Sequence, residues 1–305
     1  MRLLLACIPA LVLTSCAPPP ANLEFSEAAA LVFREFQHED PGWVARGLRE
    51  LEREIYLSMD VDNASAVTRA VSPDQLTDED VAGVEHPNLP LDRNIAVAVG
   101  APSKYDVGPL SELPLMPDQL PFEPGSPDHY DRTFTEGADC WADRGCEFLI
   151  TSNELTKDNA AISPITYTLP KEYRWVDLNL SEPTEGGAPS SNDGDPRWAI
   201  AARTWTTQRE GNEEGDSIEQ SYTVELWVPR DGNGFVRTDE DVNVDGGTWT
   251  GDSTGGGTLR MMAIWSQSII VSIAADDDTI AAVTRGGIDD IFQTVEDWMD
   301  ENRPL

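Results

Sequence analysis

The segment from Asp241 to Asp252, DVNVDGGTWTGD, has the residue types and spacing of a calcium-binding loop. Side-chain oxygens in such a loop turn inward at alternate positions, and a carboxylate closes the coordination shell at its end. The predicted metal ligands are Asp241, Asn243, Asp245 and Asp252. Gly246 stands where the loop must turn sharply, and Gly247 would offer its carbonyl oxygen. The spacing therefore predicts a Ca²⁺ site.

A second interpretation of this segment needs no metal. Proline and glycine residues flank it on both sides, so no helix can form there and an EF-hand is excluded. Asp252 is also one methylene shorter than the bidentate glutamate of an EF-hand, which would weaken calcium binding. The segment could instead be a strand end with Val242 and Val244 facing inward, followed by a Gly-Gly turn. Both interpretations stay open at this point.

The neighbouring stretch GDSTG, residues 251–255, resembles the G-x-S-x-G turn that carries a nucleophilic serine. That turn needs a histidine later in the chain, and the last histidine here is His129. We therefore predict that Ser253 is not a nucleophile. No zinc-protease, phosphate-loop or dinucleotide-binding motif is present in the sequence. Paired acids such as Asp239-Glu240 are expected to be solvated, so a non-enzymatic protein is favoured.

The first residues, MRLLLACIPALVLTSC, have the organisation of an export signal: Arg2, a short apolar stretch, then small residues. The last four, Leu13 to Cys16, resemble the lipobox of bacterial lipoproteins. The resemblance implies that residues 1–15 are removed and that Cys16 is acylated and held at a membrane. Residues 16–25 would then form the anchor and a proline-rich spacer. In lipoproteins of Gram-negative bacteria, an aspartate directly after the acylated cysteine often means inner-membrane retention. Ala17 stands at that position here, so the outer membrane is favoured.

Export determines how the remaining cysteines are interpreted. Once the signal and Cys16 are set aside, the pair in DCWADRGCEF, Cys140 and Cys146, is left to close a small loop. An oxidising compartment permits that bond, so we predict a disulfide. Zinc is the alternative, but two cysteines with no histidine nearby supply only half of a ligand set.

The formal net charge is −34, and removal of Arg2 with the signal makes the mature chain one unit more negative. Such a charge repels the phosphates of nucleic acids and of anionic lipids. We therefore exclude nucleic acid as a partner. Contact with a membrane is expected through the acyl chains alone.

Periodicity indicates a single α+β domain over residues 26–305. A helix is predicted over Ser26 to Gln37, and a second one follows Asp40-Pro41, which provides a cap and a first-turn proline. Residues 85–139 form a proline-rich insertion whose apolar residues predict a layer over the core. The last helix follows Asp276, with a break or kink expected at Gly286-Gly287.

Seven strands are predicted between the insertion and the last helix. The clearest has alternating polar and apolar residues, which indicates one buried and one solvated face. The predicted strands are Phe148 to Thr151, Ile162 to Leu169, Tyr173 to Leu180, Trp198 to Gln208, Ile218 to Val228, Leu259 to Ser266 and Ile269 to Ala274. N-terminal helices, a curved antiparallel sheet and a long C-terminal helix packed on it make an α+β fold.

This order of elements resembles the START-like or polyketide-cyclase superfamily over residues 57–300. The resemblance implies a sheet that wraps the C-terminal helix and encloses an apolar ligand. We expect a membrane-anchored envelope lipoprotein that binds a small apolar ligand or a partner protein. The alternatives are a hydrolase or cyclase on the same scaffold, and a calcium-stabilised envelope protein. The tryptophans of the strand-rich half are expected in the core, except Trp227, which shares a face with acids.

Overall fold

The computed structural model describes residues 23–58, 69–124, 129–159, 162–230, 257–271 and 276–303. Within them the chain forms one antiparallel sheet with helices on both of its faces. The expected α+β class, with a long C-terminal helix packed on the sheet, is therefore confirmed. The lipobox with Cys16 and the whole of the predicted calcium loop lie outside the described residues.

Two amphipathic helices open the fold, close to where their periodicity predicts them. Helix α1 spans Phe25–Arg34 and begins at a capping box formed by Glu24 and Glu27. Helix α2 spans Gly42–Ser58. The two helices pack closely because Gly47 has no side chain: a Cβ there would lie 2.5 Å from a methyl carbon of Val32.

The strands are arranged in the spatial order β1-β2-β9-β8-β6-β5-β4-β3, and the short strand β7 pairs with β8. Their bounds are β1 Arg69–Val71, β2 Ile95–Ser103, β3 Tyr130–Glu136, β4 Phe148–Asn159, β5 Ile162–Asp177, β6 Trp198–Trp205, β7 Glu210–Gly211, β8 Ser217–Pro229 and β9 Thr258–Ile269. The two strands predicted within residues 162–180 are in fact one, β5. Ile269 is the end of β9, and the described residues after it do not continue as the predicted strand.

Helices α1 and α2 cover one side of the sheet, which we call the first face. Their buried side chains pack against alternate residues of β5, β6, β8 and β9. The largest fully buried members of this core include Phe33, Phe36, Leu48, Tyr222 and Trp265. Burial of this apolar stripe, rather than helix propensity, is what stabilises the two helices.

The opposite side, the second face, is covered by the proline-rich segment and by the last helix. Helix α3, Asp78–Val81, precedes this segment and packs beside α1 on the first face, where the 3₁₀ turn Leu91–Arg93 also contributes Leu91 to the core. The part of the segment on the second face contains the short helix α4, Val107–Leu110, and 3₁₀ turns at Leu113–Leu115 and Leu120–Phe122. Leu110, Leu113 and Phe122 are buried against the sheet together with Trp175 and Ile200. Residues 107–122 of the insertion therefore form a layer over the core, as predicted, whereas β2 and β3, which also lie within residues 85–139, are strands of the sheet itself.

Helix α5, Asp277–Asn302, is continuous through Gly286-Gly287, so the expected break there was wrong. Asp276 caps it by accepting a hydrogen bond from the backbone nitrogen of Thr279 at 2.9 Å. Two helical glycines cost about 2 kcal/mol relative to alanine. That cost is outweighed because the helix buries an apolar stripe on the sheet at residues Ala281, Ile288, Phe292, Val295 and Met299.

The alternation of β8 was predicted correctly, but its polar face is not solvated. Glu219, Thr223 and Glu225 are all buried, because the insertion and α5 cover the second face. Glu225 accepts a hydrogen bond from Lys171 of β5 at 2.5 Å, which compensates its burial. The expectation that one face of β8 is wet was therefore wrong.

Candidate binding groove

A groove of about 900 Å³ lies outside the first face, where four parts of the chain meet. One wall is the side of α1 that points away from the sheet, and residues 74–80 face it. The loop 184–189 and the turn between α1 and α2 complete the walls. This volume is in the range of small-molecule and peptide sites. The groove is half-open, so it can admit a chain that passes through it.

The floor of the groove is apolar. Leu23 and Leu31 are only 4% and 3% exposed, and Ala30 and Trp43 are half-buried beside them. These residues lie on the groove side because α1 presents residues 23, 26, 27, 30, 31, 34, 35 and 38 along one stripe at helical spacing. The same spacing directs Val32 to α2, where it meets Gly47, and Phe33 to Tyr222 of the sheet.

The rim of the groove is strongly acidic. Eight carboxylates are among its described lining residues: Glu27, Glu35, Glu39, Asp40, Asp74, Glu79, Asp80 and Glu185. The basic residues that line it are Arg34 and His38. The side chains of Glu39, Glu79 and Glu185 are exposed and make no hydrogen bond or ion pair within the described part of the chain. The groove therefore presents an excess of negative charge to a ligand.

Arg34 is occupied by two of these carboxylates. Its guanidinium donates to Glu35 at 2.9 Å and to Asp80 at 2.7 Å. Burial alone would lower the pKa of Arg34, but its hydrogen bonds and the charges of both partners outweigh burial and raise the pKa. Asp80 also accepts from the backbone nitrogen of Thr77 at 2.8 Å, so this cluster joins α1 to α3. The arginine thus holds the two walls together.

Asp40 fastens the loop 184–189 to the turn between α1 and α2. Its Oδ1 accepts hydrogen bonds from the backbone nitrogens of Gly42 at 2.9 Å and Ser190 at 3.1 Å. Its Oδ2 accepts from the Ser190 hydroxyl at 3.2 Å. A Cβ on Gly42 would lie 1.9 Å from that hydroxyl oxygen, so the contact requires glycine. The root of the loop is held by Arg49, which donates to the carbonyl oxygens of Leu178 and Leu180.

Two buried arginines of the sheet donate hydrogen bonds to carbonyl oxygens at the C-terminal end of α1. Arg174 donates to the carbonyl oxygens of Phe36 at 2.6 Å and His38 at 3.0 Å, and Arg203 donates to that of Phe33 at 2.8 Å. Cations are favourable at a helix C-terminus, where the last carbonyls lack partners. Burial lowers the pKa of both arginines, although Glu147 and Glu172 partly offset the effect. Sequence reasoning missed these residues, since arginines within strands carry no pattern that reveals their partners.

The disulfide between Cys140 and Cys146 is confirmed. It closes a small loop that inserts Trp141, fully buried, into the core of the second face. The Trp141 ring stacks on Trp175 with centroids 5.2 Å apart, and the Trp175 indole nitrogen donates to the Trp141 carbonyl at 3.1 Å. The disulfide therefore fixes an aromatic cluster and lies on the opposite side of the sheet from the groove.

The remaining predicted site residues are not brought to the groove. Asp241, Asn243, Asp245 and Asp252, together with Ser253 and Cys16, lie outside the described residues. Within the described ranges, no group of three or more histidine, cysteine, aspartate or glutamate side chains is arranged to hold a metal ion. The tryptophan expected to be exceptional, Trp227, is only 8% exposed and packs 6.3 Å from the Tyr173 ring.

No known family model matches the chain, and no curated protein matches it significantly. Among the helices of the described segments, none combines the length and the apolar character that a membrane crossing requires. The assignment of a function must therefore rest on the groove and on the N-terminal sequence.

Proposed function

We propose that this protein is a non-enzymatic lipoprotein of the bacterial cell envelope, anchored in the outer membrane through Cys16, which binds a partner in the groove beside α1. The observation that carries the binding function is the groove itself, about 900 Å³ with an apolar floor and an acidic rim. The anchor rests on the resemblance of Leu13 to Cys16 to a lipobox.

The groove lies close to the proposed anchor along the chain. Leu23, which lines it, is the seventh residue after Cys16. A fully extended chain of that length spans at most about 25 Å. A partner bound in the groove would therefore be held near the membrane surface, which favours a partner that belongs to the envelope.

The groove is also better suited to binding than to catalysis. The buried carboxylates among its walls, Asp40 and Asp80, already accept several hydrogen bonds from neighbouring groups. Acid-base catalysis needs a carboxylate or histidine that can reach a reacting group and exchange a proton with it. The exposed carboxylates at the rim are set for electrostatic attraction instead.

The anchor is tested by expressing the full chain in a Gram-negative host and measuring the intact mass of the membrane-extracted protein. We expect the chain to begin at residue 16 with added acyl mass, and to fractionate with the outer membrane. Cys16→Ser should lose both the acyl mass and the membrane association. A wild-type product without added lipid would contradict the anchor.

The binding function is tested by native mass spectrometry of the same extracted protein. Ala30→Trp adds a large side chain to the groove, whereas Val283→Trp adds the same side chain on the exposed part of α5. We expect a retained mass in the wild type and in Val283→Trp that is lost in Ala30→Trp. Equal retention in all three proteins would place the bound molecule elsewhere and would overturn the proposal.

A further inference from the structure

We infer that the groove binds a basic, amphipathic segment of a polypeptide, in which lysine or arginine residues alternate with apolar ones. This inference rests on the proposed function, since it names the chemistry of the partner that the groove takes. It follows from the charge of the rim, the composition of the floor and the half-open shape of the groove.

The negative charge of the rim predicts that the partner is cationic. Eight carboxylates line the groove against one arginine, and that arginine is already paired with Glu35 and Asp80. An anionic partner would meet repulsion from the rim and from the whole chain, whose formal charge is −34. A cationic segment is attracted over a long range and is oriented by the same field as it approaches.

Three of the carboxylates are available for direct ion pairs. Glu39 lies in the turn before α2, Glu79 belongs to α3, and Glu185 is on the loop opposite. They stand on three different walls, so a segment lying in the groove can meet all of them at once. A single exposed ion pair contributes little, and a segment with several cations gains from their sum.

The floor explains why the partner must also be apolar. Ala30 is partly exposed on the floor and offers aliphatic surface, whereas Leu23 and Leu31 are almost fully buried; burial of an apolar side chain on the exposed part is favourable. Trp43 is half-buried on the same floor and presents an indole ring. Lysine and arginine can place their charged groups over an indole, and their aliphatic stems pack on apolar surface.

The shape of the groove favours a chain segment over a free amine. The groove is open to solvent and is not an enclosed cavity, so an internal segment of a polypeptide can lie in it. Its length follows the side of α1 from Leu23 to His38. A small polyamine would satisfy the rim but would leave the apolar floor uncovered.

The probe is a short fluorescein-labelled peptide that alternates lysine and leucine, titrated against the purified full-length protein by fluorescence anisotropy. Two matched peptides replace lysine with glutamate and with serine. We expect the lysine peptide to bind, and its affinity to fall as salt is raised because screening weakens the ion pairs. The serine peptide should bind more weakly, and the glutamate peptide should not bind.

The matched variants separate the groove from the general negative charge. Glu39→Gln, Glu79→Gln and Glu185→Gln together remove three charges from the rim, and Glu213→Gln, Glu214→Gln and Glu301→Gln remove three exposed charges elsewhere. We expect the rim variant to weaken binding by about tenfold and the control by less than about twofold. Equal weakening in both variants would overturn the inference, since it would show bulk attraction only.

The outcomes also separate this inference from the proposed function. If the serine or glutamate peptide binds as tightly as the lysine peptide, and Ala30→Trp abolishes that binding, the groove binds but the assignment of a basic partner is wrong. If Ala30→Trp leaves the binding of the lysine peptide unchanged, the groove is not the site and both proposals fail. Spermine that binds as tightly as the lysine peptide would show that the apolar floor adds nothing and would contradict an amphipathic partner.

Discussion

Asp40 and Ser190, 150 residues apart in the sequence, are joined by two hydrogen bonds, at 3.1 Å to the Ser190 backbone nitrogen and 3.2 Å to its hydroxyl. These bonds link the turn after α1 to the loop that forms the opposite wall of the groove. Asp40 is only 8% exposed, so its carboxylate depends on these donors to compensate for lost water. This contact therefore fixes the loop relative to the turn, and it sets the width of the groove together with the Arg34–Asp80 contact.

Gly42→Ala should displace the loop 184–189 from the turn between α1 and α2. The added Cβ would overlap the Ser190 hydroxyl, so the loop must move away, at a cost of about 1 to 3 kcal/mol in the free energy of unfolding. Hydrogen exchange of residues 184–190 should become faster, which mass spectrometry can measure. Gly286→Ala is the control: nothing lies within 4 Å of that Cβ, and replacing a helical glycine there should stabilise the protein. A stabilised Gly42→Ala with unchanged exchange would contradict the role of this contact.

Arg203→Met should be strongly destabilising. Arg203 is only 3% exposed, donates to Glu172 at 2.7 Å and satisfies the Phe33 carbonyl at the end of α1. Methionine retains the packing of the aliphatic part of the side chain. It leaves the buried Glu172 carboxylate and the Phe33 carbonyl without this donor, which lowers the free energy of unfolding by about 3 to 5 kcal/mol. Urea unfolding measures the change. Gln37 also donates to Glu172, at 2.5 Å. A loss below about 1 kcal/mol would show that Glu172 is compensated by Gln37 alone.

Arg260→Met should have a much smaller effect, although Arg260 is equally buried. Its Nη1 donates to the Phe292 carbonyl at 3.3 Å, its Nε has no hydrogen-bond partner among the described residues, and Glu296 is 3.8 Å away. Burial lowers the pKa of Arg260 to about 10, which shows that folding disfavours its charged form. A methionine of similar length can pack over Phe292, so we expect stability within about 1 kcal/mol of wild type, or a gain. The same urea series decides this, and a loss as large as that of Arg203→Met would refute it.

The helices could be predicted from the sequence, whereas the extent of one strand and the groove could not. Apolar residues at helical spacing predicted α1, α2 and α5, because each helix buries one stripe. The division of β5 was wrong because the strand continues through Pro170, which lies opposite Ser152 of β4, while β6 pairs with β5 only from Lys171 to Asp177. The missing N–H of the proline therefore interrupts no pairing with β6. The groove could not be predicted, since Asp40 meets Ser190, and Arg34 meets Asp80, only through the tertiary fold.

Removing the disulfide should destabilise the second face. Cys140 and Cys146 are six residues apart, and for a loop of this size the chain-entropy model gives about 2 kcal/mol. Cys140→Ser with Cys146→Ser should lower the free energy of unfolding by that amount and change the tryptophan fluorescence, because Trp141 stacks on Trp175. Binding of the lysine peptide should be unchanged, as the groove is on the other face. A variant with native fluorescence and stability would show that packing alone holds Trp141.

The Asp300 carboxylate should make the free energy of unfolding depend on pH in the acidic range. A hydrogen bond from Lys104 at 2.5 Å, and one from the Tyr105 hydroxyl, lower the pKa of Asp300 and tie the end of α5 to the segment after β2. A carboxylate whose pKa is lower in the folded state stabilises that state at pH values above the pKa of the unfolded chain, about 3.9. This contribution to stability is lost as the pH falls through the pKa of the folded state. Asp300→Asn should therefore be less stable than wild type at pH 7, and the difference should shrink below about pH 4. Urea unfolding at both pH values tests this against Asp290→Asn, an exposed substitution on the same helix for which we expect no difference at either pH. A deficit in Asp300→Asn that persists unchanged at low pH would assign the effect to packing and not to the charge.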